Sequence, residues 1–171
     1  VGHYLSAASM AAAATGDATL RRNLDAVTRG LEACQLAMGD GYLSGFPQAE
    51  FSAMENFPAP RNAWVPYYVM HKILAGLIDY HRLWGDRRAL AIAVRLAQHL
   101  HARARRVMAR GIEHWHTFIN QEVGGMSEAL TDLAMATGNS SWLQLAAVFE
   151  RPCFIRPLML QHSQPSASHA M

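Results

Sequence analysis

The sequence predicts an all-α fold built from helical hairpins, and three observations carry that prediction. Apolar residues recur at steps of three and four through most of the chain, while the strict alternation of a strand is nearly absent. Glycine followed by a capping side chain interrupts the pattern at Gly16-Asp17, Gly85-Asp86 and Gly138-Asn139. Each time an apolar helix precedes the break and a more amphipathic helix follows it. With 171 residues, 51% of them hydrophobic and 16% charged, the chain is long and apolar enough for one domain with a sizeable core.

The first predicted helix, about Tyr4 to Thr15, is rich in Ala and carries no Asp, Glu, Lys or Arg. Asp17 is placed to cap the second, Ala18 to Met38. That helix carries Arg21, Arg22, Asp25, Arg29 and Glu32 on one side and Leu20, Leu24, Val27, Leu31 and Cys34 on the other, so it belongs on a surface. A long connection, Gly39 to Ala63, holds one short helix near Gln48 to Glu55. The most apolar element then runs from Ala63 to Trp84. Pro66 suits its first turn, and apolar side chains lie nearly all round it, as in a helix buried on most sides. An amphipathic helix covers about Arg87 to Met108, and a second long connection spans Ala109 to Gly125. The last two helices are about Met126 to Thr137 and Ser141 to Glu150. Residues 1–150 thus form the folded domain, and 151–171 are expected to be an irregular or disordered tail.

The three breaks define a structural repeat. Three residues past each Asp or Asn stands Leu20, Ala89 or Trp142, and seven past stands Leu24, Ala93 or Ala146. Alternating buried and surface helices imply an inner and an outer layer. The short glycine turns then lie at one end, and both long connections lie at the other, where each inner helix begins. Loops that long in a compact domain are usually functional. The polar and aromatic residues at the inner-helix starts converge on that face: His3, then Tyr42 and Trp64 to His71, then His114 to Glu122.

Composition excludes several classes. The formal charge is only +2, and the one basic cluster, Arg103, Arg105, Arg106 and Arg110, has no interleaved aromatics. It reads as a solvated helix face, not a nucleic-acid surface. Cys34 and Cys153 fit neither a disulfide framework nor a paired metal motif. No uncharged apolar run is long enough to span a bilayer, so no membrane partner is expected. No signal peptide is visible, and the opening Val1-Gly2-His3 falls at a helix, as if the natural N-terminus were missing.

Four segments resemble one family: Val1-Gly-His-Tyr-Leu-Ser-Ala, Asp40-Gly-Tyr-Leu-Ser-Gly-Phe-Pro, Trp64-Val-Pro-Tyr-Tyr-Val-Met-His-Lys-Ile-Leu-Ala-Gly-Leu and Glu122-Val-Gly-Gly-Met-Ser-Glu-Ala-Leu. Together they are similar to the β-L-arabinofuranosidase-type glycoside hydrolases, in family order, from Val1 to Phe149. The resemblance implies an (α/α)6 toroid with a sugar pocket on the long-loop face, plant glycans containing arabinose as substrates, and a bacterial, secreted or periplasmic enzyme. It also implies a zinc site of Cys thiolates and a Glu, with a Cys nucleophile and a Glu acid/base, further along the chain. None of those motifs occurs here, so no cofactor and no catalytic residue is assigned to this chain. Six main helices make about half a toroid, and the chain reads as an N-terminal half, from a truncated or frameshifted gene or cut from a longer one. Alone it is expected to be inactive. Uncovered inner faces of a half toroid predict self-association. The alternative is a non-catalytic helical repeat module that binds a sugar or protein.

The candidate substrate-binding residues are His3, Tyr42, Trp64, Tyr67, Tyr68, His71, Glu122 and Glu128. A neutral imidazole at His71 both donates and accepts hydrogen bonds, as a sugar hydroxyl requires; the plainer reading is a core histidine. Trp64, Tyr67 and Tyr68 either stack on a sugar ring or simply pack. Tyr42, in a Gly-flanked loop, is expected to be exposed to ligand, against the alternative of a turn anchor. Glu122 and Glu128 are the nearby carboxylates; helix-dipole stabilisation alone accounts for Glu128, and Glu122 is assigned to substrate positioning. His114 and His116 lack a third ligand, and no metal site is expected.

Overall fold

The computed structural model describes residues 1–56, 65–119 and 124–160, and among them every regular element is a helix. The order is α1 (Gly2–Thr15), α2 (Ala18–Met38), α3 (Gln48–Glu55), α4 (Pro66–Trp84), α5 (Arg87–Met108), α6 (Ile112–Ile119), α7 (Met126–Thr137), α8 (Ser141–Val148) and α9 (Pro152–Met159).

The repeat is carried by its turns. Gly16, Gly85 and Gly138 all take left-handed conformations, with φ of 71°, 67° and 67°. The side chain after each then collects free amides of the next helix. Asp17 accepts from the Thr19 and Leu20 amides at 2.7 and 3.2 Å, and Asp86 from Ala89 at 2.7 Å. Asn139 accepts from Ser141 at 3.0 Å.

These hairpins stack in two layers. Inner α1 packs on α4 and α4 on α7; outer α2 packs on α1 and α5, and α8 on α7. The inner helices run parallel. Near its start α1 meets Lys72 to Gly76, and further along the Trp84 indole donates to the Ser9 carbonyl at 3.2 Å. Two glycines allow this crossing. A β-carbon on Gly2 would lie 2.0 Å from the Lys72 carbonyl oxygen, and one on Gly76 would lie 2.5 Å from that of Gly2.

The outer helices bury one stripe each. In α5 it runs through Ala89, Ala93, Leu96, Leu100, Arg103 and Val107. Arg103 is therefore not on the solvated face expected for the basic cluster: it is 2% exposed and ion-paired to Glu55. In α2 the stripe is Leu24, Thr28 and Gln35. Cys34, expected on the apolar side, is exposed. Gln35 is buried instead, its amide donating to the carbonyls of Gly41 and Ile92 at 2.9 and 3.1 Å.

Two helices lie where irregular chain was expected. In the second long connection, α6 buries Trp115, whose indole donates to the Val148 carbonyl at 2.6 Å. In the predicted tail, α9 forms around Pro157, while 161–171 lie outside the described residues. Among the described residues no helix is long and apolar enough to cross a membrane.

Candidate functional site

Parallel inner helices place the starts of α1, α4 and α7 side by side, and the site is built on those three ends. The α4 start has an unusual backbone. Val65 precedes Pro66 in a left-handed conformation, φ 47°. For a β-branched residue this costs roughly 1–3 kcal/mol and persists only where the surroundings impose it.

The next two turns present Tyr67 and His71 on one face and Tyr68 and Lys72 on the neighbouring one. Tyr67 turns inward and is 3% exposed. Its ring joins a chain of edge and tilted contacts from Tyr42 through Phe51 and Tyr67 to Phe149 and Trp115, with centroids 5.2 to 5.9 Å apart. Its hydroxyl donates to the Glu55 carboxylate at 2.5 Å. Tyr68 is half-buried, edge-on to His71 at 4.8 Å, with the Lys72 ammonium 5.3 Å above its ring.

His71 sits at the junction with α7. A β-carbon on Gly124 would lie 2.6 Å from its Nδ1, and one on Gly125 would lie 3.7 Å from Nε2 and 3.1 Å from Oε2 of Glu128. The paired glycines before α7 thus let backbone press against the imidazole, with the Glu128 carboxylate folded back beside it. Gly124 also has φ +150°, a second reason for glycine. His71 Nδ1 is buried without a hydrogen-bond partner. Burial, then the Lys72 ammonium and His3, lower its pKa to about 4, so the ring is neutral at pH 7.

Two hollows flank this junction. One, lined by Tyr67, His71, Gly124, Met126, Phe149 and Arg151 among others, has room for about 20 Å³, enough for one water. The other is a groove of about 330 Å³ bounded by His3, Gly45, Tyr68 and Lys72, within the size range of small-ligand sites. A hydrogen-bonding imidazole, an aromatic face and a cation edge suit a polyhydroxylated ligand.

The structure therefore sets His3 and Tyr68 on the groove and Tyr67 and His71 on the adjoining water-sized hollow, while Glu128 stands beside Gly125 and lines neither. Tyr42 does not belong to the exposed site. It is 3% exposed, its hydroxyl donates to the Phe46 carbonyl, and it anchors its own turn. Enclosure by α3 and α5, which no local motif encodes, overrides the exposure expected of a glycine-flanked loop. Trp64 and Glu122 lie outside the described residues. His114 is committed too: Nε2 donates to the Glu55 carbonyl at 2.7 Å. Among the described residues no three His, Cys, Asp or Glu side chains are grouped to hold a metal.

The Glu55–Arg103 pair beneath Tyr67 is not among the residues expected from the sequence, although Arg103 falls on the apolar stripe of α5. Nor is His99, whose Nδ1 donates to the Asp40 carbonyl at 3.1 Å and whose pKa is lowered by burial.

In a comparison with known families, the model of the β-L-arabinofuranosidase GH127 catalytic domain matches residues 1–170. It extends past Phe149, where the resemblance read from motifs ended. Comparison with curated proteins finds no match.

Proposed function

Because the chain belongs to the GH127 β-L-arabinofuranosidase catalytic-domain family, we propose that it supplies a substrate-binding wall of an arabinofuranosidase-type (α/α)6 toroid. The observation that carries this reading is the groove between the starts of α1 and α4, lined by His3, Tyr68 and Lys72, with His71 edge-on behind Tyr68. In this reading the Tyr68 ring lies against the sugar's apolar face in the groove, and neutral His71, 3% exposed, reaches a sugar hydroxyl by way of the water-sized hollow it lines. Trp64 and Glu122 extend the same wall, and arabinose-containing plant glycans are the substrate, met outside the cytoplasm. Glu122 is the positioning carboxylate, and no acid/base role is assigned to Glu128.

The resemblance implies zinc for the whole family domain, and the described residues do not fit it. Cys34 lies in α2 and Cys153 in α9, both exposed, and neither is grouped with other ligands as a metal site requires. No step is assigned to them, and the bond-breaking groups are placed outside this chain. The exposed side of α1, which carries Tyr4 and Met10, is where a further helix or a second copy would pack.

Isothermal titration with L-arabinose and arabinan oligosaccharides tests the binding role. Binding that disappears in His71→Ala is expected; no heat with any sugar would move the chain to the class of non-catalytic scaffolds. Release of nitrophenol from a nitrophenyl arabinofuranoside by the isolated chain would overturn the placement of the bond-breaking groups.

A further inference from the structure

We propose that Glu55 is the positioning residue of this site: it fixes Tyr67, and through Tyr67 the wall against which His71 is set. The inference rests on the sugar-site reading for its ligand, but its geometry stands independently. Glu55 is the last residue of α3, and the final carbonyls of a helix have no partner within it. Its own carbonyl accepts from His114 Nε2 at 2.7 Å and from Arg110 Nη1 at 3.3 Å. Oε1 accepts from the Tyr67 hydroxyl at 2.5 Å and from Arg103 Nε. Arg103 is held in turn by Ser52 Oγ at 3.0 Å and the Gln48 carbonyl at 3.4 Å.

One buried residue thus joins four elements. Through it the outer helix α5, the short helices α3 and α6 of both long connections, and the first turn of α4 meet. A simple surface strut would not need this. An exposed ion pair is worth little, whereas a buried carboxylate demands satisfied oxygens and an opposite charge. Tyr67 and His71 stand four residues apart on α4, one turn above the other on the same face, and both line the water-sized hollow. With its hydroxyl committed to Glu55, Tyr67 cannot rotate toward ligand. Its ring is a fixed surface, and the imidazole keeps one orientation against Gly124.

The test uses Tyr67→Phe, Glu55→Ala, Glu55→Gln and the Glu55→Ala/Tyr67→Phe double variant. Leu24→Ala in α2 serves as a destabilised control away from the site. Two readouts are taken: the imidazole Cε1–Hε1 NMR signal of His71, assigned by its loss in His71→Gln, and L-arabinose affinity. Tyr67→Phe and Glu55→Ala should each shift the His71 signal and, by leaving the imidazole misplaced, weaken L-arabinose by about tenfold. The double variant should bind no more weakly than Glu55→Ala, because the two changes cut one link. Glu55→Gln, which keeps an acceptor for Tyr67, should restore most of the wild-type signal. Leu24→Ala should lower the melting temperature with neither change. An unshifted His71 signal in both Tyr67→Phe and Glu55→Ala, or fully additive losses, overturns the proposal. If Glu55→Ala fails to fold, Tyr67→Phe alone decides by the same signal. If the wild type binds no L-arabinose, the sugar reading falls, while the His71 signal still decides the role of Glu55.

Discussion

Replacing Gly76 by Ala should destabilise the protein, although the same change elsewhere in a helix should help it. Ala is favoured over Gly in a helix interior by about 1 kcal/mol. At Gly76 that gain meets a backbone. The new β-carbon would lie 2.5 Å from the Gly2 carbonyl oxygen and 2.8 Å from the Leu5 β-carbon. Ordinary contact needs roughly 1 Å more, and a backbone carbonyl cannot swing away as a side chain does. Helix α1 must move off α4, loosening the contacts of Leu5, Ala8 and Ala12, which are 0%, 5% and 0% exposed. Overpacking of this kind costs about 1–3 kcal/mol, and the upper part of that range applies because both helices are involved. Against the propensity gain, the net loss is about 1–2 kcal/mol, or roughly 2–8 °C in melting temperature for a chain of this size. Gly30 is the matched control. It lies within α2 with nothing within 4 Å of a β-carbon, and Gly30→Ala should raise the melting temperature by about 2–4 °C. Thermal unfolding followed by far-UV circular dichroism measures both. If Gly76→Ala is stabilised as much as Gly30→Ala, the close α1–α4 crossing is wrong.

Stability should fall on acidification between pH 6.5 and about 4, because His71 has its pKa lowered in the folded state and the unfolded chain takes up the proton first. The loss is at most roughly 3 kcal/mol at about 1.4 kcal/mol per unit, with His99 adding in the same direction; urea melts of His71→Gln across this window should show a flatter profile. Asp86→Ala removes the acceptor of the Ala89 amide and should cost about 1 kcal/mol, read as a lower thermal midpoint. Met10, 51% exposed on a helix without charged side chains, should promote concentration-dependent association in sedimentation velocity, and Met10→Glu should reduce it.

What the sequence discloses follows the range of the interaction that decides each feature. The boundaries of α2, α3, α5 and α7 match the sequence expectation to the residue, and for α2, α5 and α7 the cause is a local signal. Gly16 and Gly85 turn the chain and Asp17 and Asp86 cap the next helix, while the α7 boundary rests on Gly125 and Gly138. Helix α6 obeys the same physics less visibly. Ile112, Trp115 and Ile119 have helical spacing, but over eight residues and without a capping side chain. In α9, Pro157 reads as a breaker although the helix forms around it. That α1, α4 and α7 start at the same end was legible because a repeat of antiparallel hairpins forces alternate helices to do so.

Enclosure was not legible, and it separates Tyr42 from Tyr68. Both are tyrosines beside candidate loops, yet one is shut in by Phe51 and His99 while the other edges an open groove. Which loop another helix covers depends on residues fifty positions away. A charge on an apolar stripe is the exception that does report from a distance. Arg103 continues the series Leu96, Leu100, Val107, and Glu55 continues Phe51 and Met54. Neither charge could be buried alone at a tolerable cost. Two such misfits of opposite sign, on two helices of one small domain, imply each other. Their meeting point must then be interior, and here it lies at the hydroxyl of Tyr67, the inner wall of the site.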